Sequence, residues 1–574
     1  MPRDIFPRFF LIAAAVLLLT RSALAADSPG LTRLGNEILE SIQSFYPVNA
    51  TAIGIHAYDH RFTDYSSGSV DQFVKKLTDF EKQLYKFKGA NLSVHDQVNY
   101  KLLKSNVDIA LMDLKRIQWY KKSPQLYADE AVFGIYYLIL SNHAPLSERA
   151  VSIVNRMKAL PDYLAKAKKN IKKPPKVYID AAIETLEAGQ QFYKDVAAEL
   201  SNKFPERADE LARVSNHARE AMNDFVTFLG NVTPGPENSF AIGKENFDYM
   251  LSNLYYLDYD SDSLLRLGES LFVQANQAYR EYEEYVESHH QNGSDSVFVP
   301  ANFTKQDILD YYGWEIQQEK IYVETHGLVT VPENVAPIMV VEVPSFMRAL
   351  VTGIAYEPAP PFDSVQQGLF YIRPIPDDLD RRQLEARYRY VHRRGFKGYA
   401  VHEAYPGHHL QMQIASMNSD PVRKWQRNYL MIEGWGLYSE ELMYSAGLYG
   451  DEDPAMWLEV LDGIRFRAAR IVADVKLHTG QFTYDQCVRW MIDALGVTTD
   501  YGKEYMKTEV RRYTTTPTNQ MSYLIGKLEI MKLLRAAEAR DGENFNIRDF
   551  HDALLTEGSI PPTLMWEILG LSRN

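Results

Sequence analysis

The 574-residue chain reads as a mainly α-helical protein with one small β-sheet late in the sequence. Three observations predict this. Apolar residues step by three or four through most of the chain, as in Leu31, Leu34, Ile38, Ile42 and Phe45, and again in Ile153, Met157, Leu160 and Leu164. Each set falls on one face of a helix. Between residues 326 and 376 the pattern changes to short β-branched runs bounded by proline, which read as strands. Helical stepping then returns, with Arg467, Arg470, Asp474 and His478 again three or four apart.

Four segments follow from this pattern. Residues 1–25 read as a signal peptide: Arg3 and Arg8 near the start, an apolar run from Phe9 to Leu19 too short to span a bilayer, and Ala23-Leu24-Ala25 as a small-residue cleavage site. Residues 26–320 form an N-terminal helical region, broken at Lys172-Lys173-Pro174-Pro175 and Thr233-Pro234-Gly235-Pro236. Residues 321–376 hold the small sheet, with strands expected at Gly327–Pro332, Ile338–Val343 and Gly368–Ile372. Residues 377–574 form a helical region that carries the chemistry. No fixed-period repeat is present.

Composition narrows the function. Hydrophobic content of 46% and charged content of 24% describe a globular protein. The net charge is −13, and removing residues 1–25 takes away Arg3, Arg8, Arg21 and Asp4, leaving −15. Such acidity disfavours nucleic acid and anionic membranes as partners. The basic run 166–176 fits a solvated helix end. The single cysteine, Cys487, forbids an intrachain disulfide and sits in an apolar helical pattern with Trp490, Met491 and Ala494. A signal peptide without disulfides suits a periplasmic or secreted protein with no membrane anchor left after cleavage. The five N-x-S/T sequons, at Asn49, Asn91, Asn231, Asn292 and Asn302, keep a eukaryotic secretory route open. No G-x-S-x-G elbow, P-loop or G-x-G-x-x-G fingerprint occurs.

The stretch Val401-His402-Glu403-Ala404-Tyr405-Pro406-Gly407-His408-His409-Leu410 carries the strongest signal. A His-Glu pair followed by further histidines is how zinc peptidases set two imidazoles and a carboxylate base around one metal. The spacing is unusual. On an ideal helix His402 and His408 are about 120° apart in azimuth, and His402 and His409 are about 10 Å apart along the axis, so neither pair can share an ion. Pro406-Gly407 resolves this by bulging or restarting the helix, which brings His408 back towards His402. His402 and His408 are the expected histidine ligands, Glu403 the general base, and His409 a neighbour that orients a ligand or contacts substrate. Downstream, Glu433-Gly434-Trp435-Gly436-Leu437-Tyr438-Ser439-Glu440 places two carboxylates seven apart on one helix face. Glu433 is the expected third ligand, and Glu440 can orient a ligand imidazole.

H-E-A-Y-P-G-H-H-L-Q together with E-G-W-G-L-Y-S-E closely resembles the domain-of-unknown-function 885 family, which is grouped with the gluzincin metallopeptidases. More distantly the chain is similar to carboxypeptidase Taq and the thimet oligopeptidases. Their H-E-x-x-H lacks the extra residues around Pro406. The resemblance extends through Tyr356–Phe362, the Gly368–Tyr371 run, the segment with Arg467, Arg470, Asp474 and His478, and Arg512-Tyr513 with Ser522-Tyr523-Leu524-Ile525-Gly526-Lys527. It implies a two-lobed helical gluzincin-like fold with the sheet beside the active-site helix, a bound Zn2+, and hydrolysis of a peptide or small amide. It further implies Tyr523 as hydrogen-bond donor to the oxyanion, while Arg512 can pair with a substrate carboxylate. Asp474 and His478 are expected to orient a ligand or substrate, or to form a buried ion pair. An amidohydrolase of acylated amino acids or cell-wall peptides, and a peptide-binding protein without turnover, are the alternative readings.

The ligand assignment has a direct test. His408→Ala should abolish tight zinc binding and His409→Ala should spare it, as measured by zinc stoichiometry of the purified variants.

Overall fold

A computed structural model describes residues 28–289, 298–344, 354–392, 395–450 and 454–573. The expected signal peptide lies outside these residues. The described chain is mainly helical, with a single three-stranded sheet. Seven helices of 17 residues or more, from Pro29–Phe45 to Ala208–Asn231, precede Ser261–His289 and Lys305–Thr325. The two proline-containing breaks fall between Asn170 and Lys176 and between Asn231 and Lys244, where no helix runs. The stripe of Ile153, Met157, Leu160 and Leu164 is buried, as its spacing requires. No described helix is long and apolar enough to cross a membrane.

Local chemistry marks many helix starts. Ser28, Ser93 and Ser123 accept main-chain N–H bonds at the N-termini of Pro29–Phe45, Val94–Met112 and Pro124–Leu140. Reciprocal capping boxes, Thr304 with Asp307, Asp380 with Gln383 and Thr483 with Gln486, start three later helices. Each satisfies N–H groups that a helix leaves without an internal partner.

The sheet contains β1 (Met339–Glu342), β2 (Ala355–Glu357) and β3 (Leu369–Ile372), in the order β1-β3-β2. β1 runs parallel to β3, with Val340 opposite Phe370, and β2 runs antiparallel, with Tyr356 opposite Phe370. All four β3 residues are buried, as a central strand covered on both faces demands. β2 lies at the sheet edge. The expected strand at Gly327–Pro332 does not form. The helix Ile547–Leu555 takes that backbone instead: His551 Nδ1 bonds the Leu328 carbonyl at 2.8 Å, and the Thr330 N–H donates to Asp552 at 2.9 Å. Proline at 332 removes a further ladder donor. β2 escaped the sequence reading because it is three residues long and runs straight into Pro358.

The largest apolar core draws on residues from Leu31 to Met565, on both sides of residue 320. A second core, containing Leu251, Leu264, Leu430, Leu437, Ile471, Met521 and Leu524, lies among the later helices. There Tyr429–Ser445 and Asn519–Asp541 cross backbone to backbone. A Cβ on Gly526 would lie 2.0 Å from the Leu430 carbonyl oxygen, and one on Gly434 would lie 2.5 Å from the Gly526 carbonyl carbon.

This crossing predicts an asymmetry between two glycine-to-alanine changes. Gly526→Ala should lower the unfolding free energy by about 1–3 kcal/mol through overpacking. Gly230→Ala, where a Cβ meets nothing within 4 Å, should leave it unchanged or raise it by up to about 1 kcal/mol. Urea unfolding curves of the two variants read the difference.

Candidate metal centre

The motif helix breaks where the sequence requires. Helix Gly395–Glu403 ends, residues 404–407 turn, and His408–Ser416 begins a new helix. Across the break Gly407 N–H bonds the Val401 carbonyl at 3.1 Å and Leu410 N–H bonds the Ala404 carbonyl at 3.3 Å. Both bonds span six residues, two more than a regular helix, so the insertion is absorbed within one turn. Only glycine fits at 407, where a Cβ would lie 1.9 Å from the His402 carbonyl oxygen. Trp435 Nε1 donates to the Pro406 carbonyl at 2.8 Å and pins the turn to the Tyr429–Ser445 helix.

The restart brings His408 beside His402. Their rings meet edge to face with centroids 4.7 Å apart, and both residues are buried. Glu433 completes the group: its Oε2 lies 3.7 Å from His402 Nε2 and 3.5 Å from His408 Nε2. Three atoms bonded to one zinc at 2.0–2.2 Å in tetrahedral geometry are roughly 3.3–3.5 Å apart. The donor atoms of His402, His408 and Glu433, all within 4.8 Å of one another, therefore fit a zinc ion.

Glu440 sits one face-repeat beyond Glu433 and accepts from His402 Nδ1 at 2.8 Å. This leaves Nε2 of that ring facing Glu433, the carboxylate–histidine pairing that orients metal ligands. Arg467 approaches the same Glu440 oxygen at 3.6 Å. Burial disfavours a charged His402, yet Glu433 and Glu440 outweigh it and raise its pKa to about 10. Burial likewise opposes ionised Glu433, but the two imidazoles hold it far below the usual carboxylate range. Without a cation, a proton on His402 balances part of the carboxylate charge. Burial raises Glu403, with His408 and His402 opposing the shift.

Tyr523 enters from the Asn519–Asp541 helix, its ring near-parallel to His402 at 6.4 Å and covered by Arg470 at 4.1 Å. Burial and the nearby Glu433 charge raise its hydroxyl to about 12, so it remains a donor at neutral pH. Asp474 does not approach the histidines; it is buried and accepts N–H bonds from Thr518 and Met521, each at 3.1 Å, at the start of the Tyr523 helix. His478 is fully buried and bonds the Tyr513 carbonyl at 2.9 Å, while Asp474 is 3.9 Å away. Arg512 is engaged by Glu509 at 2.8 Å. His409 faces away from the cluster: Nε2 donates to the Ala336 carbonyl at 2.8 Å, so Nδ1 accepts from Tyr356 at 3.0 Å.

The sequence reading missed Gly436. A Cβ there would fall 2.7 Å from His402 Cε1, so this glycine makes the room in which the ring turns. The paired glycines around Trp435 were its only signal.

Two outcomes follow. Glu440→Gln and Gly436→Ala should each weaken zinc binding by about 10–100-fold, because both free or displace the His402 ring. Zinc binds neutral imidazole, and His402 holds its proton up to about pH 10. Affinity should therefore rise with pH across the neutral range, by up to about tenfold per unit for one released proton. Competitive titration against a chromophoric chelator at several pH values measures both effects.

No curated protein matches the chain. Among solved structures, a "putative lipoprotein of unknown function" from Shewanella oneidensis superposes with a TM-score of 0.74 at 19% identity, covering 95% of this chain and 100% of that one. A second described in the same way as a lipoprotein, from Colwellia psychrerythraea, gives a TM-score of 0.74 at 18% identity, covering 94% and 98%. These similarities show a shared fold. The family model described as "Bacterial protein of unknown function (DUF885)" matches residues 47–569, and the chain belongs to that family.

Proposed function

We propose that this protein is an exported, zinc-dependent hydrolase of peptide bonds with a gluzincin-type centre. The observation that carries the reading is the convergence of His402, His408 and Glu433 on one point, with the Glu403 carboxylate adjoining both histidines. Bound there, zinc would acidify a water and polarise the scissile carbonyl. Glu403 accepts the proton of the attacking water and passes it to the leaving nitrogen, a role that its raised pKa suits. Tyr523 donates a hydrogen bond to the oxygen on which negative charge develops. Arg470 over its ring and Arg467 nearby favour that charge.

Edge strand β2 supports an extended peptide as substrate. Tyr356 of β2 bonds His409 of the motif helix at 3.0 Å, so a chain pairing alongside β2 lies beside the candidate centre. The same chemistry hydrolyses acylated amino acids and cell-wall peptides, and a panel of free peptides, end-blocked peptides and acylated amino acids separates these substrates. Export is supported by the apolar N-terminal segment and by the lipoprotein descriptions of the two similar structures.

In steady-state kinetics on any amide it cleaves, Glu403→Gln should lose about 10²–10⁴-fold in kcat while retaining zinc. Tyr523→Phe should lose about 10²–10³-fold. Chelation should abolish turnover and zinc should restore it. Unchanged hydrolysis by Glu403→Gln would overturn the proposal.

A further inference from the structure

A second group of potential ligands stands apart from the centre above. His56, in the short turn His56–Tyr58, together with Asp59 and His143, offers three donor atoms within 4.8 Å of one another. Asp59 Oδ2 lies 2.8 Å from His56 Nδ1 and 3.9 Å from His143 Nε2. These distances bracket the roughly 3.3–3.5 Å expected between atoms that share a zinc ion. Asp59 is buried at 4% exposure, while the two imidazoles keep an edge towards solvent, which leaves an entry path and room for water as a fourth ligand.

What surrounds these residues is built as metal sites are built. A ligating histidine characteristically gives its second nitrogen to a carboxylate or another fixed acceptor. His56 Nε2 meets the buried Asp363 Oδ1 at 2.7 Å. His143 Nδ1 meets Ser141 Oγ at 2.8 Å, and that hydroxyl donates to Asp363 Oδ2 at 3.0 Å. The free oxygen of Asp59 accepts from Thr51 Oγ1 at 2.6 Å, which itself accepts from the fully buried Arg156 at 2.6 Å. Each candidate ligand thus has its other polar atom fixed. Gly54, at φ +88°, permits the approach of Asp363: a Cβ there would lie 2.6 Å from the Asp363 nitrogen.

We propose that His56, Asp59 and His143 form a second divalent-cation site, suited to zinc or a similar borderline metal by its two imidazoles and one carboxylate. The two rings stack face to face with centroids 3.4 Å apart, which holds them side by side next to Asp59. The site joins the 56–59 turn, the 141–143 turn and, through Asp363, the loop from β2 to β3. Gln366 in that loop bonds the Pro360 and Asp363 carbonyls, and its own carbonyl accepts from Gln413 of the His408–Ser416 helix. A cation there clamps the connection between the edge strand and the motif helix.

Zinc counting on the full chain tests the site independently of the His402 centre. The native protein should bind two zinc ions, and His143→Gln should bind one. His402→Ala combined with His408→Ala should also bind one, and adding His143→Gln to that pair should leave none. Circular dichroism checks that each variant folds. Should the double alanine variant fail to fold, the comparison of native protein with His143→Gln decides alone. A native count that His143→Gln leaves unchanged, or a folded double alanine variant without zinc, would show the cluster to be a protonated His56 held between two aspartates and would overturn the proposal.

Discussion

The candidate centre depends on two helix backbones touching. Tyr429–Ser445 carries Glu433 and Glu440, and Asn519–Asp541 carries Tyr523. Gly434 and Gly526 remove the side chains that would hold these helices apart. Helix axes normally pack 8–10 Å apart, set by the side chains between them. Glycine on both sides gives the closest approach and brings a phenol from one helix to the carboxylate of the other. The Asp474 carboxylate, buried and bound to the N–H groups of Thr518 and Met521, fixes the start of the Tyr523 helix in the same core.

Charge is organised around burial. Glu433 and Glu440 stay ionised in a crowded setting because His402, His408 and Arg467 adjoin them. A carboxylate without such neighbours behaves differently. Glu319 is fully buried, and burial with the nearby Glu315 charge pushes its pKa far up. Glu403 lies between these limits: burial raises it, while the two imidazoles restrain the shift. This contrast supports the ligand role proposed for Glu433, the orienting role proposed for Glu440 and the proton-transfer role proposed for Glu403.

The turn at 404–407 shows how a helix motif tolerates an insertion. Two extra residues would rotate His408 about 200° round an ideal helix. Ending one helix and starting another, with main-chain bonds spanning six residues, cancels that rotation. His409 is then turned towards Ala336 and Tyr356, where it fastens β2 to the motif. A residue adjacent in sequence to a candidate ligand braces the edge strand instead of joining the cluster.

Much of this was determined by the sequence alone. Apolar spacing fixed the helices, because periodicity reports directly which face is buried, and Pro406-Gly407 located the helix break, because neither residue continues a helix normally. The His402, Glu403, Glu433 and Glu440 pattern marked the candidate centre, since ligand chemistry admits few residue types. Tertiary structure decided what depends on contacts between distant segments. It took Gly327–Pro332 away from the sheet by offering its backbone partners from the Ile547–Leu555 helix, and it placed β2 at the edge. It assigned Asp474 to a helix start, His478 to the Tyr513 carbonyl and Arg512 to Glu509. It alone gathered His56, Asp59, His143 and Asp363, which are scattered over three hundred residues with no spacing that links them. Local pattern encodes which face is buried, but which buried polar group meets which is settled only when the chain closes on itself.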